Sequence, residues 1–278
     1  MTDSIISQRL RVLALTAALA GPGVIAQAAP ESFETPEAAA AAVVAALEAR
    51  ERAALGALFG IVVEAGVGTL YVGRDQWPFP GPLVEGPDGW SFDAAAAREE
   101  VLLRRIGGNE LDVIEVMRGY VAAQRAYRAG DPDGDGVRAF ASAVLSDPGA
   151  RNGLYWPDAP GAPESPVGDF MARAAAEGYS VDGVDEDPEP FHGYYFRILT
   201  RQGSAAPGGE YDYMVAGRML GGHALLAFPA AYGDSGIMSF MVGEAGLIYE
   251  ADLGEDTLAL ATAIEAFDPG PDWTPIAD

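Results

Sequence analysis

The chain has 278 residues, 49% of them apolar, and its 41 acidic side chains outnumber 17 basic ones to give a formal net charge of −24. Cysteine and lysine are both absent and only two histidines occur. These counts exclude disulfides, thiol nucleophiles, thiolate metal sites, a phosphate-loop lysine, Schiff-base chemistry and a three-histidine metal centre, while the charge opposes nucleic acid and anionic lipid as partners.

Residues 1–28 read as an export leader. Arg9 and Arg11 form a positive start, residues 12–20 are apolar, Gly21-Pro22-Gly23 breaks the run, and Ala26-Gln27-Ala28 is a small-x-small cleavage site. The apolar run is shorter than the ~20 residues a spanning helix needs. The expected product is periplasmic or secreted, with no stable membrane insertion after cleavage; an uncleaved anchor is the alternative.

Thr35-Pro36-Glu37 is a helix start, and apolar residues at roughly helical spacing carry that helix to about Leu58. Extended pieces follow at 69–72 and 82–85, with Trp77-Pro78-Phe79-Pro80 between them. Gly86-Pro87-Asp88-Gly89 turns the chain before Trp90-Ser91-Phe92. A helix over 94–106 is expected to break at Gly107-Gly108, and Asn109 to cap a second one running to Arg128. On that helix Val113, Val116, Met117, Tyr120, Gln124 and Tyr127 share one face. Helical pieces are predicted near 137–145 and 170–177. Strand-like runs then occupy 194–200, 211–216, 224–228, 237–242 and 247–250, reversed at glycine-bearing turns, and 256–267 reads as a closing helix.

The expected class is α+β: an antiparallel meander packed against a long helix, with an N-terminal helical and hairpin lobe. The expected divisions are a leader (1–28), a lobe of helix and short strands (29–108), and an α+β domain (109–278). In that domain helix 109–128 lies on a sheet spanning 192–251.

Among sites, Asp131-Pro132-Asp133-Gly134-Asp135-Gly136 places carboxylates at alternate positions, as calcium loops do, and Val137 could add its carbonyl. Asp131, Asp133, Asp135 and Val137 are therefore candidate calcium ligands. The twelfth position is Ser142 where such loops carry glutamate, and an Asp/Gly turn between helices accounts for the same residues. Gly233-Asp234-Ser235-Gly236 has the form of a serine-protease nucleophile motif, but neither histidine has the matching context, and a β-turn explains it. His192 among aromatics and His223 among apolar residues read as structural. Arg104 and Arg105 are expected to tie helix ends through Glu99, Glu100 and Glu110. Trp77, Phe79, Trp90, Tyr155 and Trp156 fit either a carbohydrate groove or core packing.

Taken in order, Trp77-Pro78-Phe79-Pro80, Gly89-Trp90-Ser91-Phe92-Asp93, Arg104-Arg105-Ile106-Gly107 with Asn109-Glu110, and Ala123-Gln124-Arg125-Ala126-Tyr127 resemble a bacterial family, domain of unknown function 2950. Asp133-Gly134-Asp135-Gly136, Gly153-Leu154-Tyr155-Trp156-Pro157, the run from His192 to Leu199, and Ala206-Pro207-Gly208-Gly209 extend the resemblance. It covers about Phe33 to Trp273 and implies an exported protein of Gram-negative bacteria, with no activity or catalytic residue attached. The chain departs from that pattern in a shorter segment between Leu58 and Thr69, and in His223 where an aromatic is typical. A weaker likeness to pilin-like globular domains runs from Ala123-Gln124 through Gly193-Tyr194-Tyr195-Phe196 to Gly236–Val242. The functional expectation is an exported, non-enzymatic envelope protein with a binding or structural role, partnered by an envelope protein or surface component. The alternative is a carboxylate-dependent hydrolase of envelope polysaccharide.

Overall fold

The structure, a computed structural model, describes residues 32–48, 59–72, 75–161, 163–168, 179–181, 184–186 and 189–276. The expected leader, the first helix beyond Glu48 and the helical piece at 170–177 lie outside the described residues. Two compact units divide between Ala94 and Ala95.

In the first unit, strand β1 (Ser32–Phe33) leads into helix α1 (Pro36–Glu48). Thr35 caps that helix, accepting the Ala38 N–H on Oγ1 at 3.1 Å. Strands β2 (Phe59–Glu64), β3 (Val67–Val72), β4 (Trp77–Pro78), β5 (Leu83–Gly86) and β6 (Gly89–Phe92) complete an antiparallel sheet in the order β1-β6-β5-β3-β2, with β4 on β3. Gly89, at φ +113°, closes the β5–β6 hairpin where any Cβ would strike the Phe33 carbonyl, so only glycine fits. Trp90 belongs to the small core of this unit, beside Ala39 and Leu83.

The second unit opens on helix α2 (Ala94–Gly130), 37 residues without interruption. The expected break at Gly107-Gly108 does not occur, and Asn109 is not a cap. Both glycines face open space. Their cost of about 1 kcal/mol each relative to alanine is offset by tertiary anchors on either side. Further along, Val113, Met117, Tyr120, Gln124 and Tyr127 are buried, as their spacing predicts.

After α2 the chain forms a parallel pair, β7 (Ala143–Leu145) and β8 (Gly153–Tyr155), in place of the expected helix at 137–145. The cause is non-local. Fully buried Gln124 accepts the Ala141 N–H on Oε1 and donates Nε2 to the Ala141 carbonyl, both at 2.9 Å, while Phe140 N–H donates to Met219 O. Backbone groups captured this way are not available to a helix ladder. A hairpin of β9 (Tyr179–Val181) and β10 (Val184–Glu186) precedes β11 (Tyr194–Leu199).

Four short strands follow: β12 (Arg201–Gln202), β13 (Tyr211–Asp212), β14 (Met214–Val215) and β15 (Arg218–Met219). The single strand expected at 211–216 is thus divided at Tyr213, β13 pairing β12 and β14 pairing β15. Strands β16 (Ala224–Pro229), β17 (Met238–Gly243), β18 (Ile248–Asp252) and β19 (Thr274–Pro275) join β11 in an antiparallel sheet ordered β11-β16-β17-β18-β19. The antiparallel meander and the α+β class are as expected, but residues 211–216 stand outside this sheet and β19 forms its far edge. β16 is buried along its whole length, so both its faces are covered. Helix α3 (Thr257–Ala263) packs on it and stops short of Phe267. Ile264 is extended, and the Arg197 guanidinium donates to the carbonyls of Ala261 (2.7 Å), Thr262 (3.0 Å) and Ile264 at this helix end. Among the described residues, no helix is long and apolar enough to cross a membrane.

One seam fixes α2 to the end of this sheet. Glu110 Oε1 accepts both the Ile237 N–H (2.9 Å) and the Met238 N–H (3.0 Å). Asn109 Nδ2 donates to Ser235 O at 2.8 Å, Arg105 pairs with Asp234, and Asp112 Oδ2 lies 2.9 Å from His192 Nδ1. Tyr194 donates to Met238 O at 2.8 Å, and its phenol is pushed upward by burial and by the Glu110 charge. Gly193, in the left-handed region at φ +74°, is required there because a Cβ would come within 2.8 Å of Ser235 Cβ. Arg104 pairs with Glu100 as expected, but Arg105 reaches Asp234 across the seam.

His223 sits in the core with neither ring nitrogen hydrogen-bonded among the described residues. Tyr120 and Phe140 pack edge-on against it at 5.2 and 4.6 Å between centroids. Burial, then Arg125 and Arg128, lowers its pKa to about 4.

Two outcomes follow from this packing. Glu110→Ala strands two backbone donors and is expected to cost about 2–4 kcal/mol in urea unfolding, whereas Glu110→Gln keeps an acceptor and costs about 1 kcal/mol; equal losses would contradict the seam. For His223, the unfolded chain takes up a proton near pH 6.5 and the folded one only near 4. Stability is therefore complete above pH 6.5 and falls by about 3 kcal/mol as pH drops through that window. His223→Phe is expected to flatten that pH dependence and raise the midpoint; an unchanged profile in the variant would refute the assignment.

Candidate functional site

A cleft of ≈ 380 Å³ lies at one end of the meander, within the size range of ligand pockets. Its lining comes from separated stretches: Gln202 and Pro207, Tyr211 and Tyr213, the turn from Gly243 through Leu247, Tyr249, and Phe267. Gln202 knits the floor. Its Nε2 donates to Pro207 O (2.9 Å) and Gly209 O (2.6 Å), and its Oε1 accepts the Tyr213 hydroxyl at 3.0 Å. Phe267 is held from behind by backbone bonds to Arg201 and Gly203.

Two glycines make room for the walls. A Cβ on Gly222 would meet the Tyr213 ring at 3.0 Å, and one on Gly243 would meet Phe267 at 3.1 Å. Tyr211 and Tyr213 stand edge-to-face at 5.5 Å between centroids, as do Tyr249 and Phe267 at 6.0 Å. Tyr211 (44% exposed) and Leu247 (45% exposed) form the rim. Glu244 is the one acid in the lining; it is exposed and has no hydrogen-bond or ion-pair partner among the described residues. Burial, then Tyr211 and Glu244, pushes the Tyr213 phenol upward. Sequence reasoning missed this site. Tyr211 and Tyr213 between the glycine pairs 208–209 and 221–222 were its only local signal.

The sequence-predicted acidic loop does assemble. Carboxylate oxygens of Asp131, Asp133 and Asp135 lie within 4.8 Å of one another. Asp131 Oδ1 is buried with no hydrogen bond among the described residues, and Asp133 is shifted upward by burial and by its two neighbours. Burial and the same three acids push the Tyr127 phenol up to about 12. Competing contacts are present, however. Arg218 pairs with Asp135 at 2.6 Å, Asp131 Oδ2 accepts Gly136 N–H, and Asp135 Oδ1 accepts Val137 N–H. The Val137 carbonyl, expected as a ligand, accepts Ala139 N–H. The loop follows a helix but leads into extended chain, so it is not flanked by two helices as expected.

The other candidates resolve into structural roles. Ser235 Oγ closes its own turn, donating to Ala231 O (3.1 Å) and accepting Ala231 N–H (3.0 Å). His192 meets Phe191 edge-to-face, 4.1 Å between ring centroids, and occupies a tight turn with Gly193. Trp156 is core and donates to Pro163 O at 2.9 Å. Trp77, Phe79 and Trp90 lie in the first unit and Tyr155 and Trp156 in the second, so these aromatics do not line the cleft found here.

Comparison with known proteins finds no significant match among curated proteins or solved structures. The family described as "Protein of unknown function (DUF2950)" matches residues 62–276, a span that holds the α2 seam, the acidic loop and every wall of the cleft. The chain belongs to this family.

Proposed function

We propose that this protein is an exported envelope protein that works by binding a polypeptide or surface component, with the aromatic cleft as its recognition site. The observation that carries the reading is the cleft itself: a concavity with aromatic walls, an internally satisfied floor and an exposed rim of Tyr211 and Leu247. Export is supported by the leader-like first 28 residues and by an acidic composition suited to an aqueous compartment outside the cytosol. Two-carboxylate hydrolysis of a polysaccharide needs a second acid about 5–10 Å from the first, and the lining carries only Glu244. Binding therefore takes precedence over the hydrolase reading.

Calcium at the acidic loop is a second proposal. It is favoured by the buried Asp131 Oδ1, which has no hydrogen-bond partner among the described residues and lies among three converging carboxylates. Because Arg218 already offsets part of that charge, affinity is expected to be weak, with Kd on the order of 10⁻⁴–10⁻³ M.

Cell fractionation and N-terminal sequencing are expected to find the mature chain in the envelope or medium, beginning at Ala29. The intact chain in the cytoplasm would overturn export. Tyr211→Ala is expected to abolish retention of the partner captured by wild-type protein from periplasmic extract; equal capture by both would remove the cleft from the reading. In calorimetric titration with millimolar calcium, Asp133→Asn should lose the heat and Arg218→Ala should strengthen it. No heat in any of the three proteins would sink the calcium proposal.

A further inference from the structure

The cleft offers a ligand a particular set of chemical groups. Four aromatic side chains, Tyr211, Tyr213, Tyr249 and Phe267, wall it. The faces of such rings carry negative quadrupolar charge and attract cations within about 6 Å. Its neutral polar side chains are partly consumed by the protein itself: both Gln202 amide donor bonds and its acceptor serve the floor, and the Tyr213 hydroxyl donates to Gln202. The remaining fixed charge is the Glu244 carboxylate, placed at the tip of the β17–β18 turn and close enough to Tyr213 for its charge to act on that phenol.

Resting on the cleft as the recognition site, we infer that its ligand is the basic side chain, arginine or lysine, of a polypeptide partner. An aliphatic stem fits between the rings, and the cationic head meets Glu244. A sugar, by contrast, presents a ring of hydroxyls and would find few side-chain groups free to bond them. The volume, ≈ 380 Å³, suits one extended side chain and its flanking backbone better than an oligosaccharide. The exposed surfaces of Tyr211 and Leu247 beside the mouth give that backbone a place to lie. A net charge of −24 draws such a partner in at long range.

The test uses the mature full-length protein and four probes: acetyl-Ala-Arg-Ala-amide, the same peptide with neutral citrulline replacing arginine, free spermidine, and a neutral oligosaccharide. The arginine peptide is expected to bind at least about tenfold more tightly than the citrulline peptide. Glu244→Gln should cost a similar factor and Tyr211→Ala should abolish binding. Glu244 is exposed in a turn, so an unchanged unfolding midpoint in Glu244→Gln establishes that the fold is intact. Equal binding of the two peptides, no effect of Glu244→Gln, or binding of spermidine without the peptide would overturn the inference. Oligosaccharide binding lost in Tyr211→Ala would keep the cleft as the site and sink only the cationic ligand. If no probe's binding responds to Tyr211→Ala, both readings fall.

Discussion

The second unit depends on a single carboxylate. Glu110 sits mid-way along a helix of 37 residues and accepts the N–H of Ile237, just before β17, and that of Met238, the first residue of β17. Charge-assisted bonds to backbone N–H groups are stronger than neutral ones, and here one oxygen serves two of them. Around it, Asn109, Arg105 and Asp112 reach the same sheet end at neighbouring points. The exposed Arg105–Asp234 pair adds little energy by itself, but it shares a geometry already fixed by the part-buried Asn109 and Glu110 contacts. The register of the helix on the sheet follows from these contacts, and with it the burial of Met117, Tyr120 and Gln124.

From that register the rest of the unit is built outward. Gln124 imposes extended structure on residues 140–141, and Tyr120 donates to the Ala224 carbonyl at the start of β16. Gln202 does for the cleft what Gln124 does for the core: its amide donates to two backbone carbonyls that belong to no regular ladder, while its oxygen accepts the Tyr213 hydroxyl. His223 departs from this pattern, a buried polar ring with neither nitrogen hydrogen-bonded among the described residues.

The sequence made some of this legible and hid the rest for physical reasons. The apolar face of α2 repeats at helical spacing, and the meander strands are separated by glycine turns, so both could be read locally. Gly107-Gly108 misled because helix propensity is a weak local cost, overridden by anchors more than a hundred residues away at Ser235 and Ile237. Residues 137–145 have helix-compatible composition, and contacts from elsewhere in the chain, to Gln124 and to Met219, decide otherwise. The acidic loop was visible because its ligand-like residues are contiguous. Arg218, which competes for Asp135, arrives from another hairpin and could not be foreseen. The cleft was invisible because no short stretch contains it; its parts come from Gln202 to Phe267 and meet only when several turns are docked.

The division of labour within the cleft has an evolutionary corollary. Its floor is fastened through main-chain carbonyls, Gln202 and close-fitting glycines, whereas Tyr211, Glu244, Ala245 and Leu247 at the mouth are exposed and carry little of the folding energy. Mouth residues can thus be exchanged among descendants without endangering the scaffold. A lineage could retune what it recognises by altering a few surface positions while the architecture beneath stays constant.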